Sequence, residues 1–264
     1  MHTSAPSLSD RLKPRMSAWL LLALAPVAMA DGSPWYLRGG LSWVTSSHEH
    51  LTDEHCANHS PPALFGCSLG SDGRPIGAYG RLDDALGWDL GVGYRLSPIW
   101  RLELGYERIA DRSFAGDANF LSVPGAQPVT GDLDTGLLLA QVVVDIDVGW
   151  ERVVPWVAVG AGWARHEMDR MTYGFPGLAP GAVTVTADGE QDQFAWRAAV
   201  GVGLRVDPRF TVDLSWSYTD LGWMGSEAGA ATIVRARGTR TLEIDGTEAA
   251  IRNQAVRLGM RYQF

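Results

Sequence analysis

The sequence predicts an all-β fold, an eight-stranded antiparallel up-and-down transmembrane β-barrel. Three observations predict it: eight segments show an apolar–polar alternation, the connections between them are alternately short and long, and aromatic residues concentrate at both ends of the segments. In such a barrel one face of each strand contacts lipid and the other lines the lumen, so apolar and polar side chains alternate with a period of two.

Each predicted strand carries apolar side chains on one face and polar, charged or glycine residues on the other, because successive side chains of a strand point to opposite sides. The last segment, AVRLGMRYQF, shows the pattern most clearly, with Arg257 and Arg261 opposite an apolar face that ends at Phe264. In chain order, the apolar faces lie within residues 35–43, 86–94, 100–106, 138–146, 157–163, 194–204, 210–218 and 256–264.

The connections after the second, fourth and sixth strands are short, at 97–98, 149–152 and 207–209. Those after the first, third, fifth and seventh are long, at 46–84, 111–132, 167–191 and 222–248. Periplasmic turns and extracellular loops of outer-membrane barrels differ in length in this way. A soluble β-sandwich has no physical reason to separate its connections by length.

Aromatic residues form two predicted girdles about one bilayer apart. One girdle lies near the short turns and the other near the long loops. Trp156 breaks the parity of the fifth strand, so we expect it at the adjacent turn. The first girdle contains Trp35, Tyr94, Trp100, Trp156, Phe210, Tyr262 and Phe264, and the second contains Trp43, Trp88, Tyr106, Trp163, Phe194, Trp196, Trp216 and Tyr218.

Residues 1–30 have the pattern of a secretory signal peptide. Arg11, Lys13 and Arg15 precede an apolar run over 18–30, which is shorter than the approximately 20 residues that span a bilayer. The run ends in a small-x-small motif that predicts cleavage before Asp31, leaving a barrel domain over residues 31–264. Cleavage removes three basic residues and one acid, so the formal net charge changes from -8 to -10. This acidic balance argues against a nucleic-acid partner.

Three segments, GWDLGVGYRLSPIWRLELGYERI, VDLSWSYTDLG and RLGMRYQF, resemble the eight-stranded outer-membrane barrels related to the OmpA barrel domain, OmpX and the opacity-type surface antigens. The resemblance implies a bacterial outer-membrane location, a monomer, and contact with membrane lipid and lipopolysaccharide. It also implies that Tyr262 and Phe264 belong to an assembly signal that the barrel-insertion machinery recognises.

Charged residues on the predicted inner face suggest an ion-pair network. An eight-stranded barrel is just wide enough for side chains to fill, and buried charges require partners. The alternative is a narrow polar conduit that opens when the pairs rearrange. The predicted lumen network comprises Arg38, Asp89, Arg95, Arg101, Glu103, Glu107, Asp145, Asp147, Arg197, Arg205, Asp213, Arg257 and Arg261, with Gln141 on the same face.

The first long loop contains four of the six histidines, within HEHLTDEHCANH. Imidazole and carboxylate groups together suit zinc, copper or nickel, so His48, His50, His55 and His59 are candidate metal ligands. An ordinary hydrophilic surface loop is the alternative, because a histidine-rich composition alone does not define a site. Cys56 and Cys67 are close in sequence in an exported chain, and we expect one disulfide.

The fourth long loop contains ATIVRARGTRTLEID, whose alternation predicts a hairpin beyond the membrane. Its arginines, Arg235, Arg237 and Arg240, can either contact lipopolysaccharide phosphates or remain solvated.

These features predict a structural or surface-interaction protein without enzymatic activity or a cofactor, which contacts a host or surface ligand through its loops. A narrow small-solute channel is the main alternative, and a lipid- or peptide-hydrolysing enzyme a minor one. A serine hydrolase needs a base beside its nucleophile. Ser215 and Ser217 face the lumen without a nearby histidine in sequence, and His166 lies beside Glu167 at a strand end.

Overall fold

The computed structural model describes residues 33–46 and 48–264, so the predicted signal peptide lies outside the described residues. No helix in these ranges is both long and apolar enough to cross a membrane. The strands are β1 (Trp35–Ser46), β2 (His48–Asp53), β3 (Ala78–Leu82), β4 (Ala85–Arg95), β5 (Trp100–Ala118), β6 (Pro128–Asp145), β7 (Val153–Met168), β8 (Thr172–Gly174), β9 (Val183–Val185), β10 (Gly189–Arg205), β11 (Phe210–Met224), β12 (Gly229–Arg235), β13 (Gly238–Ile244) and β14 (Thr247–Gln263).

Eight long antiparallel strands form a closed ring in the order β1-β4-β5-β6-β7-β10-β11-β14, and β14 pairs with β1 again. Leu41 is opposite Leu258 in the closing pair, and Trp43 is opposite Val256. Both sides of every strand in the ring are therefore hydrogen-bonded, which confirms the predicted eight-stranded up-and-down barrel.

The strands continue farther toward the long-loop end than the alternation predicts. β2 and β3 pair with each other, and they also pair with the ends of β14 and β5, so they extend the barrel wall above β1 and β4. Bulges interrupt the β5–β6 and β11–β14 registers near Asp111 and Gly222, which have φ values of 56° and 78°. An extra residue in one strand reverses its parity, which is why the sequence pattern ends there.

Four long connections remain at that end of the barrel, over residues 54–77, 119–127, 169–188 and 225–246, and we call them together the cap. The strands β8, β9, β12 and β13 lie within it and continue the sheet outward from β6. β12 and β13 form the hairpin that the sequence predicts in the fourth loop, with Arg235 opposite Gly238.

The outer surface of the ring is apolar and exposed, as a lipid-facing surface requires. Leu41, Leu90 and Leu258 are each more than 60% exposed, whereas their polar neighbours face inward. The prediction for Trp156 was wrong. Its indole faces the lumen and its Nε1 donates to Asp213 Oδ1 at 3.1 Å, because the inward side chains opposite it are small enough to leave space.

Candidate functional site

The lower half of the lumen, toward the short turns, holds a continuous network of four arginines and four carboxylates. We call this set the ion-pair network. Every member is at least four-fifths buried, and the four positive and four negative charges balance. Its members are Arg38, Asp89, Arg101, Glu103, Glu107, Asp145, Arg197 and Arg257.

One half of the network begins at Asp145, which contacts Arg101 with an Nη2–Oδ1 distance of 2.8 Å. Arg101 Nη1 also lies 2.6 Å from Glu103 Oε1, and Glu103 Oε2 lies 3.1 Å from Arg38 Nε. Each interior charge thus faces a charge of opposite sign, which offsets the desolvation cost of burial.

The other half continues from Arg38, whose Nη1 lies 3.1 Å from Asp89 Oδ2. Asp89 Oδ1 lies 2.8 Å from Arg257 Nε. Arg257 and Arg197 both contact Glu107 Oε2, the latter at 2.7 Å. The network therefore links strands on opposite sides of the barrel.

Neutral side chains complete the network, and one of them, Tyr36, is not indicated by the charge pattern of the sequence. Its hydroxyl donates to Glu103 Oε1 at 2.5 Å and accepts from Arg101 Nη1 at 3.0 Å. Gln141 Nε2 donates to Glu103 Oε2 at 2.5 Å. Tyr36 shares the inward parity of Arg38, so strand periodicity could have placed it in the lumen.

Arg261 and Asp213 form a second group beside the network, with Nε–Oδ2 and Nη2–Oδ1 distances of 2.6 and 2.8 Å. A cavity of about 30 Å³ lies between this group and the network. A water molecule needs about 10–15 Å³ of such volume, so the cavity accommodates about two.

Two residues predicted for the lumen network, Asp147 and Arg205, lie outside the lumen. Asp147 follows the end of β6 and accepts from the Gly149 backbone N–H in an exposed turn. Arg205 is the exposed last residue of β10, where its Nη1 donates to the Glu151 carbonyl oxygen at 3.4 Å. Both lie at the rim, where water replaces an interior partner. Arg95 is partly exposed there and lies 3.4 Å from Asp145.

The upper half of the lumen is filled mainly by apolar side chains, a layer that the alternation of the sequence does not predict. Residues from the extended strands meet residues from the cap, and we call this layer the apolar core. Its buried members include Leu82, Phe114, Leu133, Met168, Leu221 and Ile251 from the strands, and Phe65, Ile76, Met171, Tyr173 and Phe175 from the cap.

Aromatic contacts join three of the four cap segments. The ring centroid of Phe65 lies 5.2 Å from that of Phe120 and 5.8 Å from that of Tyr173. Phe120 in turn lies 5.7 Å from Phe175. Arg235 from the fourth segment lies over Phe175, 4.9 Å from its centroid. The cap is therefore a packed structure over the apolar core.

The candidate hydrolase residues are not arranged as a nucleophile and base. Ser215 and Ser217 are buried in the lumen wall. His166 Nε2 contacts the Leu221 carbonyl oxygen at 3.0 Å and therefore carries the proton, because a carbonyl only accepts. Its Nδ1 lies 3.0 Å from Thr135 Oγ1, so both nitrogens of His166 are already hydrogen-bonded.

The four loop histidines do not come together as the sequence analysis expected. His48 and His50 belong to β2, and the His50 ring stacks on Tyr79 with a centroid distance of 4.1 Å. His59 is exposed in the loop. The physical reason is that β2 is extended, which separates His48 and His50 from the histidines of the loop that follows. Cys56 and Cys67 form a disulfide.

His55 instead meets carboxylates from two cap segments. Among the described residues, Glu54, His55 and Asp245 offer ligand atoms that all lie within 4.8 Å of one another. His55 Nδ1 lies 3.5 Å from Asp245 Oδ2. Asp245 precedes β14 and lies 190 residues after His55 in the sequence, so no local motif reveals this group.

The residues of the expected assembly signal lie at the short-turn end. Tyr262 contacts Phe210 and Phe264 with ring-centroid distances of 5.0 and 5.6 Å. The Phe264 backbone N–H donates to the Trp35 carbonyl oxygen at 3.2 Å, so the final residue contacts the first strand of the ring.

Solved structures of outer-membrane proteins are similar to this chain. Outer membrane protease OmpT from Escherichia coli is 11% identical, with 90% of this chain and 99% of that chain covered and a TM-score of 0.53. At that identity the likeness shows the fold alone. Neisserial surface protein A (NspA) is 16% identical over 88% of this chain and 98% of that chain, with a TM-score of 0.46. OprG from Pseudomonas aeruginosa is 13% identical over 87% and 96%, with a TM-score of 0.47.

No curated protein matches the sequence. The family model "Outer membrane protein beta-barrel domain", however, matches residues 17–264. Proteins of this kind lie in the lipid and lipopolysaccharide of the bacterial outer membrane and are inserted by the barrel-assembly machinery. The match spans most of the chain and agrees with the closed ring of strands, and the chain therefore belongs to the outer membrane protein beta-barrel domain family.

Proposed function

We propose that the chain is a surface protein whose filled barrel holds a folded cap for interaction outside the cell, and that it is neither a channel nor an enzyme. The observation that carries this proposal is the filling of the lumen at two successive levels. The ion-pair network occupies the lower half, and the apolar core occupies the upper half beneath the cap.

These two layers act against conduction for different physical reasons. A permeating ion would have to separate buried charge pairs in the lower layer, where each separated charge loses its partner. It would then have to enter a close-packed layer in which apolar side chains predominate, and buried polar groups there, such as Arg112 and His166, are already hydrogen-bonded to protein groups. Rearrangement of the ion pairs alone would leave the second layer in place.

The cap supplies the surface for interaction. Arg237 and Arg240 are exposed on the β12–β13 hairpin, whereas Arg235 is held by the Val183 carbonyl oxygen and the Phe175 ring. Exposed guanidinium groups suit phosphate oxygens, because their donors are arranged in a planar fork. Lipopolysaccharide phosphates are the ligand that this hairpin would meet at the cell surface.

Conductance of refolded protein in a planar bilayer tests the proposal, with liposome swelling as an independent measurement. We expect no stable conductance steps from the unaltered chain. The double variant Glu107→Ser and Arg197→Ser removes one ion pair from the network without changing the net charge. We expect the barrel of this variant to remain non-conducting, because the apolar core persists. Discrete steps from folded, unaltered protein would overturn the proposal and favour a channel.

A further inference from the structure

We propose that Glu54, His55 and Asp245 form a binding site for one zinc-class divalent transition-metal ion, which links the first and fourth cap segments. This site does not depend on whether the barrel conducts. Its ligands differ from the four histidines that the sequence suggested, because only His55 belongs to both sets.

The fold brings the ligand residues together through strand pairing. β2 and β14 are adjacent, with Asp53 opposite Thr247, so residues that follow β2 lie beside residues that precede β14. The Glu54 backbone N–H donates to the Gly246 carbonyl oxygen at 3.0 Å. Asp245 also donates its backbone N–H to the Pro62 carbonyl oxygen at 2.9 Å. The separation between the two segments is thus fixed by the backbone.

The side chains are positioned as well. Asp245 is buried, and its Oδ2 accepts from Asn58 Nδ2 at 2.8 Å while its Oδ1 accepts from the Gly246 N–H. Such hydrogen bonds to a liganding carboxylate orient it and leave further lone pairs for an ion. The Asn58 backbone N–H donates to the His55 carbonyl oxygen at 2.9 Å, which forms a turn beside the ligand.

Neighbouring constraints hold this part of the first loop. Asp53 accepts backbone N–H groups from Leu64, Phe65 and Gly66 at distances from 2.7 to 3.1 Å. The disulfide joins Cys56, next to His55, to Cys67. A preformed site loses less conformational entropy when it binds an ion, which favours affinity.

The distances fit a transition-metal ion. Ligand bonds of about 2.0–2.2 Å in tetrahedral geometry place ligand atoms about 3.3–3.6 Å apart. His55 Nδ1 and Asp245 Oδ2 are 3.5 Å apart. Glu54 and His55 are exposed, so an ion can reach them from solvent and small rotations of the Glu54 side chain can complete the set.

The donor types select the class of ion. Two carboxylates contribute a charge of -2 that a divalent cation neutralises, and Glu248 adds further negative potential close to Glu54. Imidazole nitrogen favours zinc, copper or nickel over calcium and magnesium, which prefer sets of oxygen ligands. Three protein ligands leave the remaining coordination positions to solvent.

Isothermal titration calorimetry with zinc chloride tests the site, using metal-free, refolded protein that carries no histidine tag. We expect one ion per chain with a Kd in the micromolar range or below. His55→Ala and Asp245→Asn should each weaken binding at least tenfold. His48→Ala and His59→Ala are matched controls that should retain the original affinity, because those histidines are not part of the cluster.

Folding of each variant is checked by its heat-dependent shift in gel mobility, so that loss of binding is not confused with loss of the barrel. Cobalt absorption spectra give a second readout, since a ligand-field band should appear in the unaltered protein and disappear in His55→Ala. The proposal is overturned if zinc, copper and nickel all fail to bind, if calcium binds more tightly than zinc, or if only the control variants lose affinity.

Discussion

Arg101 and Asp145 form a multiply bonded ion pair in the lower lumen. Arg101 Nε donates to Asp145 Oδ1 and Oδ2 at 3.1 and 3.0 Å, and Nη2 donates to Oδ1 at 2.8 Å. The arginine is only 1% exposed, so bulk solvent does not compensate for a lost partner. The pair joins neighbouring strands β5 and β6 near the end of the ion-pair network.

Removing the carboxylate should therefore destabilise the barrel. We expect Asp145→Ala to lower the free energy of unfolding by about 3–5 kcal/mol, because it leaves a buried guanidinium without its main counter-charge. Urea unfolding in lipid vesicles, followed by tryptophan fluorescence, measures the change.

A surface pair provides the matched control for that measurement. Arg165 and Asp192 lie 3.6 Å apart and are both exposed, and such a pair contributes at most about 1 kcal/mol. Asp192→Ala should therefore have little effect. Equal losses for the two alanine variants would contradict the assignment of Asp145 to a buried network.

The Tyr36 ring packs directly on Gly93 of the neighbouring strand. A Cβ atom at Gly93 would lie 2.0 Å from Tyr36 Cζ, so Gly93→Ala must displace the ring and its hydrogen bonds to Glu103 and Arg101. Overpacking of this kind costs about 1–3 kcal/mol. Urea unfolding should show this loss of stability in the single variant Gly93→Ala.

A double-mutant cycle isolates the contact between these two residues. Once Tyr36→Ala has removed the ring, Gly93→Ala should cost much less than it does in the unaltered chain, because residues in contact are not additive. Additive losses would show that the effect of Gly93→Ala comes from the strand backbone rather than from the tyrosine.

The sequence predicted the membrane-spanning part of the barrel because lipid outside and polar groups inside impose one parity on each strand. Leu258 faces lipid and its neighbour Arg257 faces the lumen, as that rule requires. The rule ends at the bulges near Asp111 and Gly222, where the inward parity reverses and the apolar pattern no longer indicates which face meets lipid. Phe114 and Met224 of the apolar core lie beyond these bulges and were missed for this reason.

The cap could not be predicted in the same way, since its contacts join residues that are distant in the chain. Asp245 meets His55 only because β14 pairs with β2, and neither local sequence encodes that pairing. The cluster of histidines attracted attention by composition, yet an extended β2 separates His48 and His50 from His55. Topology, rather than residue type, decides which potential ligands meet.

Loss of the disulfide should loosen the first loop without unfolding the barrel. Cys56 and Cys67 are 11 residues apart, and closing a loop of this size stabilises the local structure by about 2–3 kcal/mol in the chain-entropy model. We expect Cys56→Ser with Cys67→Ser to insert normally and to show faster chymotryptic cleavage after Phe65, which lies between the two cysteines.

The urea midpoint of the barrel serves as the internal control, because the strand pairings do not involve this bond. An unchanged rate of cleavage after Phe65 would show that the hydrogen bonds of Asp53 hold the loop without the disulfide. A failure of the double variant to insert would instead assign the bond a role in assembly.

The register of β14 should be essential for assembly, because this strand closes the ring against both β1 and β11. Inserting one alanine after Gly259 reverses the parity of the residues that follow, which turns Arg261 away from Asp213 and toward lipid. The cost is about 2–4 kcal/mol at the bilayer midplane and less near an interface, in addition to the loss of the buried pair. Deleting Phe264 should also impair insertion, since its backbone N–H and ring contact Trp35 and Tyr262. An alanine inserted after Gly125, at an exposed position in the cap connection between β5 and β6, is the matched control and should be tolerated. Outer-membrane fractions are compared for folded protein by the heat-dependent shift in gel mobility. Normal amounts of folded protein from the Gly259 insertion would contradict the register of the closing strand.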